Sequence, residues 1–299
     1  MTDKHETIED PDGFMTIKNK PSLEELTKYY HEHYFSDDNL RPLNYQESYD
    51  EKEIEHINLT NDLCLFALTN VRTQWKETPG TMLEVGVGEG FTMSRAKLQG
   101  WKVHGVDFSS QGIENFNPQI LNDVEIGNAF DILNDLIKRK NKFDVCMIRF
   151  MLEHVPEPRK LLENLRELLN DNGIIVITIP NDFSKTQMKA IEYKYINEKF
   201  WIAPPEHLNY FNINNFSTFM KKMNFKIIDM YSSLPIDFFN FHPGSNFIAE
   251  KKNGKPAHRA RIELELMMAE EGLPNYHRLC QAFASCNVGR TITAFLESK

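Results

Sequence analysis

The stretch that most constrains this chain is 81–93, T-M-L-E-V-G-V-G-E-G-F-T-M. A short apolar run, Met82, Leu83 and Val85, reads as a buried strand, and Gly86, Gly88 and Gly90 follow at alternate positions. Glycines placed there let the backbone turn sharply and approach a ligand closely. Exposed N–H groups at the next helix start favour an anionic or carboxylate-bearing ligand. A pyrophosphate loop needs G-x-G-x-x-G, whereas this one is G-x-G-x-G preceded by Glu84. That spacing argues against a nicotinamide dehydrogenase.

A second strand, 102–106, ends in Asp107. Its carboxylate lies about 20 residues beyond the loop, at the strand tip where a ribose diol is held. The unit E-V-G-V-G-E-G followed by V-H-G-V-D-F-S resembles the class I S-adenosylmethionine (SAM)-dependent methyltransferases. The resemblance implies that Glu84, Gly86, Gly88 and Gly90 surround the methionine part of SAM. It also implies that Asp107, with Phe108 beside it, holds the ribose. At the end of a third strand, 124–126, Asn128, Ala129 and Phe130 fall where the family contacts adenine. Phe130 would lie on its face, and Asp131 or the backbone would accept from its amino group. A plain strand end plus the N-cap of a helix at 132–138 is the other reading for 127–131, and it is compatible with that role. Arg149, ending strand four, completes the expected cofactor set, with S-adenosylhomocysteine as product.

Strands at 143–148, 173–179, 225–231 and 291–296 alternate with helical segments, a pattern that predicts right-handed crossovers. The expected fold is a Rossmann-like, doubly wound, seven-stranded sheet, mostly parallel with the last strand antiparallel, bearing helical and aromatic cap insertions. Residues 1–20, broken by Pro11 and Gly13, read as a loosely docked tail. Residues 21–78 read as a helical cap and a first sheet-packing helix with two capping boxes, Ser22/Glu25 and Asp50/Glu53. The cofactor core is 79–180. A long connection, 181–212, reads as a substrate cap. The rest, 213–299, carries the end of the sheet and a helical insertion, 232–287.

A formal charge of −9 opposes a broad nucleic-acid surface. The segment after strand four, Arg149-Phe150-Met151-Leu152, also lacks the Asn/Asp-Pro-Pro-aromatic loop of amino-group nucleic-acid methylases. Cys64, Cys146, Cys280 and Cys286 have no metal or redox spacing and read as reduced thiols. No run reaches a membrane span, and the polar N-terminus lacks a signal-peptide core, so the expectation is a cytoplasmic monomer or homodimer.

Methyl transfer to a hydroxyl needs alignment, exclusion of water and a place for one proton. His154 and His207 are the candidate bases, and Tyr210 a candidate for orienting the acceptor. Tyr45, Tyr49 and the basic cluster His258, Arg259 and Arg261 are candidate substrate contacts, the arginines for a phosphate or carboxylate. The competing reading of that cluster is a helix face paired with Glu263 and Glu265. L-E-H-V-P-E-P at 152–158 is similar to the quinone and small-molecule branch. P-N-D-F-S and P-P-E-H-L-N-Y-F resemble a subgroup associated with sugar and surface-polysaccharide modification. These imply a small acceptor, such as a sugar, nucleotide-sugar or phosphorylated intermediate, or its N- or C-methylated counterpart. A SAM-binding protein without catalysis is the non-enzymatic alternative. Quinone enzymes with this signature often carry Glu where Phe150 stands, joining Glu153 and His154 around a metal; Phe cannot ligate, so no metal is expected.

Overall fold

Side chains alternate between the two faces of each central strand, and both sets are apolar. Leu83, Val85, Cys146, Ile148, Ile175 and Ile177 pack to one side, and Met82, Val145, Met147, Ile174 and Val176 to the other. A parallel strand buried on both faces needs such a continuous apolar run. The structure, a computed structural model, describes residues 6–21, 25, 26, 29 and 49–299.

The strands are β1 (Thr7–Glu9), β2 (Met15–Ile17), β3 (Thr81–Val85), β4 (Lys102–Asp107), β5 (Val124–Ile126), β6 (Phe143–Arg149), β7 (Leu169–Pro180), β8 (Asn209–Tyr210), β9 (Phe225–Tyr231) and β10 (Thr291–Ser298). Seven form one sheet in the order β5-β4-β3-β6-β7-β10-β9. The neighbours from β5 to β7 are parallel, while β10 runs antiparallel to both β7 and β9. The predicted sheet is present, including its reversed last strand.

Helix α1 (Glu51–Val71) opens on the expected Asp50/Glu53 capping box. Its Leu63, Cys64, Ala67 and Leu68 cover one sheet face together with α9 (Leu273–Ser285). The connecting helices are α2 (Phe91–Leu98), α3 (Gln111–Phe116), α4 (Ala129–Lys138), α5 (Pro158–Glu167), α6 (Lys185–Glu192), α7 (Ile213–Lys222) and α8 (Gly254–Ala269). Leu133 and Leu136 of α4, Leu161 and Leu165 of α5, and Phe216 and Phe219 of α7 cover the opposite face. Among the described residues no helix is long and apolar enough to cross a membrane.

Two expectations change. The described part of 1–20 is not a loose tail: β1 and β2 form a hairpin, and Phe14 is buried against Phe211 and Phe219, with ring centroids 4.8 and 5.1 Å away. Pro11 and Gly13 belong to its turn, where Gly13 takes φ +96° and Asp10 and Phe14 are hydrogen-bonded. The connection 181–212 is not a bare loop either. It contains α6, capped by Ser184 and Gln187, and β8, which pairs with β2. Ile17, Leu26, Ala190, Ile196, Trp201, Leu208 and Tyr210 form a small separate core there, so the N-terminal segment and the insertion build one cap. Tyr45, Ser22 and the aromatics Tyr30, His31, His33, Tyr34 and Phe35 lie outside the described residues.

Candidate active site at the carboxyl edge of the sheet

All three loop glycines have positive φ: +81° at Gly86, +59° at Gly88 and +79° at Gly90. A Cβ on Gly90 would sit 2.6 Å from Ile120 Cδ1, whereas one on Gly88 would meet nothing within 4 Å. Gly90 therefore serves packing, and Gly88 faces open space, as a ligand-cradling position must. Asp107 closes the loop, accepting from the N–H of Gly88 at 2.8 Å and of Ser109 at 2.9 Å. Burial pushes its carboxyl above the ordinary value, opposed by these N–H donors. Phe108 beside it is exposed.

Behind the loop lies a polar group that the sequence reading did not assemble. Arg149 donates to Asn61 of α1 and Thr92 of α2, and Thr92 Oγ1 donates to Asn61 Oδ1 at 2.9 Å. Glu84 is buried nearby with Oε2 unpartnered; burial pushes it up to about 7, with Arg149 pulling down. Asn61 and Thr92 were missed. The available signal was an Asn among the apolar positions Leu63, Leu65 and Leu68 of α1.

Asn128 caps α4, its side chain accepting from Phe130 N and Asp131 N, so the N-cap reading of 127–131 is realised. Ala129 and Phe130 are partly buried against the core. Tyr49 lies at the glycine loop, its hydroxyl 3.4 Å from Glu89 Oε1 and its ring edge-on to Phe91.

The segment after β6 rests on the glycine loop: a Cβ on Gly86 would meet Met151 Sδ at 3.5 Å. Phe150 starts this segment at φ +50°, a conformation that costs energy for a non-glycine residue and clusters at functional sites. His154 Nδ1 lies 2.6 Å from the Glu206 carbonyl oxygen. An oxygen of that kind only accepts, so Nδ1 carries the proton and Nε2 keeps its lone pair. The His207 ring stands edge-on to that of His154 with centroids 4.9 Å apart. Burial, His154 and Arg290 push His207 down to about 4, leaving it neutral at neutral pH. Glu153 is buried, and burial pushes its carboxyl up to about 8. Glu153, His154 and His207 each place one donor atom within 4.8 Å of the others.

Two expectations are corrected. The Tyr210 hydroxyl is committed to the His207 carbonyl at 2.8 Å, and its ring lies in the cap core; it positions His207's backbone rather than facing an acceptor. The basic cluster is internally paired. Arg259 donates to Asp50 and Glu263, Arg261 to Glu265 at 2.8 Å, and His258 lies 3.5 Å from Glu53. Its charge is spent holding α8 against α1. The cap sets His207 beside Glu153 and His154.

A family model described as a methyltransferase domain matches residues 56–230, more than half of the chain. The chain is similar to ubiquinone biosynthesis O-methyltransferases. It is 24% identical over 177 residues to that of Paraburkholderia xenovorans, covering 56% of this chain and 75% of the relative. It is 28% identical over 146 residues to that of Actinobacillus pleuropneumoniae, covering 43% and 62%. With the latter, the chain thus spans less than two thirds of the relative's length. Among solved structures, the plantazolicin methyltransferase BpumL in complex with SAH shares the fold at TM-score 0.52 and 17% identity, covering 92% of this chain and 98% of that one. The matched span runs from α1 to β9 and contains the glycine loop, Asp107 and the segment after β6, and on this ground the chain belongs to the methyltransferase-domain family, an enzyme class that uses SAM as methyl donor.

Proposed function

We propose that the chain transfers the SAM methyl group to a hydroxyl of a small, largely apolar acceptor held between the glycine loop and the cap. The observation that carries this reading is the convergence of Glu153, His154 and His207 beside a loop that touches Gly86. In-line attack by the acceptor oxygen forms the O–CH3 bond and breaks the S–CH3 bond. S-adenosylhomocysteine leaves, and the hydroxyl proton passes to the cluster, where the His154 Nε2 lone pair is available. Alignment under a cap that excludes water supplies roughly 7–11 kcal/mol in favourable cases.

The acceptor reading follows the aromatic composition of the cap. Trp201, Phe183, Phe200 and Tyr210 pack in or against the cap core, and the similar proteins act as O-methyltransferases in ubiquinone biosynthesis. A phenolic ring suits such surroundings. A sugar phosphate or nucleotide-sugar would need a free oxyanion site, and Arg259 and Arg261 are already paired. The test is incubation with SAM and two acceptor panels, catechol-type phenols and sugar phosphates, with methylated product read by mass spectrometry. Product from phenols supports the reading; product from sugar phosphates alone overturns it.

A further inference from the structure

We propose that, for the phenolic acceptor of the preceding reading, on which this step rests, the ring of Phe150 is the platform on which the acceptor stacks. Phe150 thereby selects flat aromatic acceptors over sugars.

The backbone singles this residue out. Among the described residues, seven positions other than glycine have positive φ. Lys140, Lys194, Asn224 and Asn287 each lie two residues past the end of a helix, where a left-handed residue closes the last turn. Asn172 is of a type that tolerates the conformation. Phe183 is held by packing, its ring edge-on to those of Trp201 at 5.3 Å and Tyr210 at 6.2 Å. Phe150, at φ +50°, ends no helix and is 48% exposed, and no aromatic ring or cation is seated on it. Neither chain geometry nor packing accounts for its strain, which leaves a ligand as the partner of the ring.

The frame around Phe150 fixes it on both sides. Its own N–H donates to the Thr178 carbonyl at 2.7 Å. Before it, Arg149 is bonded to Asn61 and Thr92. After it, Met151 lies against Gly86, and its carbonyl accepts from the His154 N–H at 3.0 Å. The surface is therefore set before any acceptor arrives, and ordering it costs nothing on binding.

Its place in the sheet is the place for a ligand. Strands β5, β4 and β3 follow one another toward one edge, whereas β6 and β7 lie on the other side of β3. The crevice of such a sheet opens where the order reverses, outside the carboxyl ends of β3 and β6. Phe150 is the first residue after β6. The segment it begins also carries His154, whose Nε2 receives the acceptor proton in the proposed reaction. An aromatic ring gains by offset or edge-on contact with phenylalanine. A sugar laid on the same surface gives up hydrogen bonds to water with no replacement.

The test separates acceptor binding from turnover. The full chain is saturated with S-adenosylhomocysteine, and catechol and glucose 6-phosphate are titrated calorimetrically, with melting temperature reporting the fold of each variant. The parent complex is expected to bind catechol and not the sugar phosphate. Phe150→Ala weakens catechol at least tenfold and Phe150→Leu, which keeps the apolar bulk, about as much, while Phe150→Tyr stays within threefold of the parent. SAM affinity changes less than threefold in all three, and in turnover the loss appears in KM for the phenol. Parental catechol affinity in folded Phe150→Ala or Phe150→Leu overturns the platform and leaves methyl transfer to phenols standing. A loss of SAM affinity with catechol unaffected overturns it as well, by assigning the ring to the donor. A parent complex that binds the sugar phosphate and no catechol overturns both the platform and the phenolic reading. Catechol bound through Phe150 and never methylated supports the platform and counts against the proposed function alone.

Discussion

The Nδ1–H of His154 donates to the backbone carbonyl of Glu206 at 2.6 Å, so the loop after the fourth sheet strand and the cap meet at the residues proposed to carry the chemistry. The contact is reinforced by Asn209, which is fully buried and bonds through its side chain to Leu152 and Val155 while accepting from Thr16 at 3.2 Å. One side chain thereby ties the N-terminal hairpin, the insertion and the active-site loop together.

Replacing Asn209 by Ala leaves two loop carbonyls and the Thr16 hydroxyl with fewer partners. The expected cost is about 2–4 kcal/mol of stability, read from urea midpoints. The glycine loop lies elsewhere, so SAM affinity stays within about threefold while turnover falls more than tenfold. Equal losses in both would mean that the cap is not an independent element of the site.

Asp107 holds the glycine loop by accepting from Gly88 and Ser109. Asp107→Ala is expected to weaken SAM at least tenfold in calorimetric titration, the loss of one charged hydrogen-bond acceptor plus a loosened loop. Unchanged affinity contradicts the ribose assignment.

Tyr210 was a candidate for orienting the acceptor, and its hydroxyl is instead bonded to the His207 carbonyl. Tyr210→Phe should cost about 1 kcal/mol in stability and change kcat less than fivefold. A hundredfold loss of kcat in a folded variant would return the hydroxyl to the reaction.

Glu84 gives a pH signature. Its folded-state value is raised from 4.5 to about 7 by burial, so between those values the unfolded chain has released a proton that the folded chain retains. Stability therefore falls as pH rises through this window, by roughly 3 kcal/mol for this group. Glu153, also raised, adds to the fall. In Glu84→Gln the decline in Tm from pH 5 to pH 8 is shallower than in the parent. An identical slope would show that Glu84 ionises freely.

The core was legible in the sequence because each signal was local. Three glycines followed an apolar run, Asp107 ended the next strand, and the Asp50/Glu53 box opened a helix that is present as expected. The cap was not, because its order comes from distant pairs. Phe14 finds Phe211, Met15 pairs with Tyr210, and Leu26 packs with the cluster of Trp201 and Leu208. Nothing near Pro11 or Gly13 announces those partners, and a turn between short strands reads as a frayed end. The basic cluster erred in the opposite direction. Arg259 and Arg261 stand out in the sequence, but they are neutralised by Glu263 and Glu265 on the same helix and by Asp50, over two hundred residues away. At His207 the sequence supplied the right residue without its neighbours, since only the fold sets it beside Glu153.

The most direct test of the central claim is calorimetric titration of the chain with SAM, S-adenosylhomocysteine and NAD in parallel. The account predicts that SAM and S-adenosylhomocysteine each bind once per chain and that NAD does not bind. A folded chain that binds NAD, or that binds neither SAM nor its product, would contradict it.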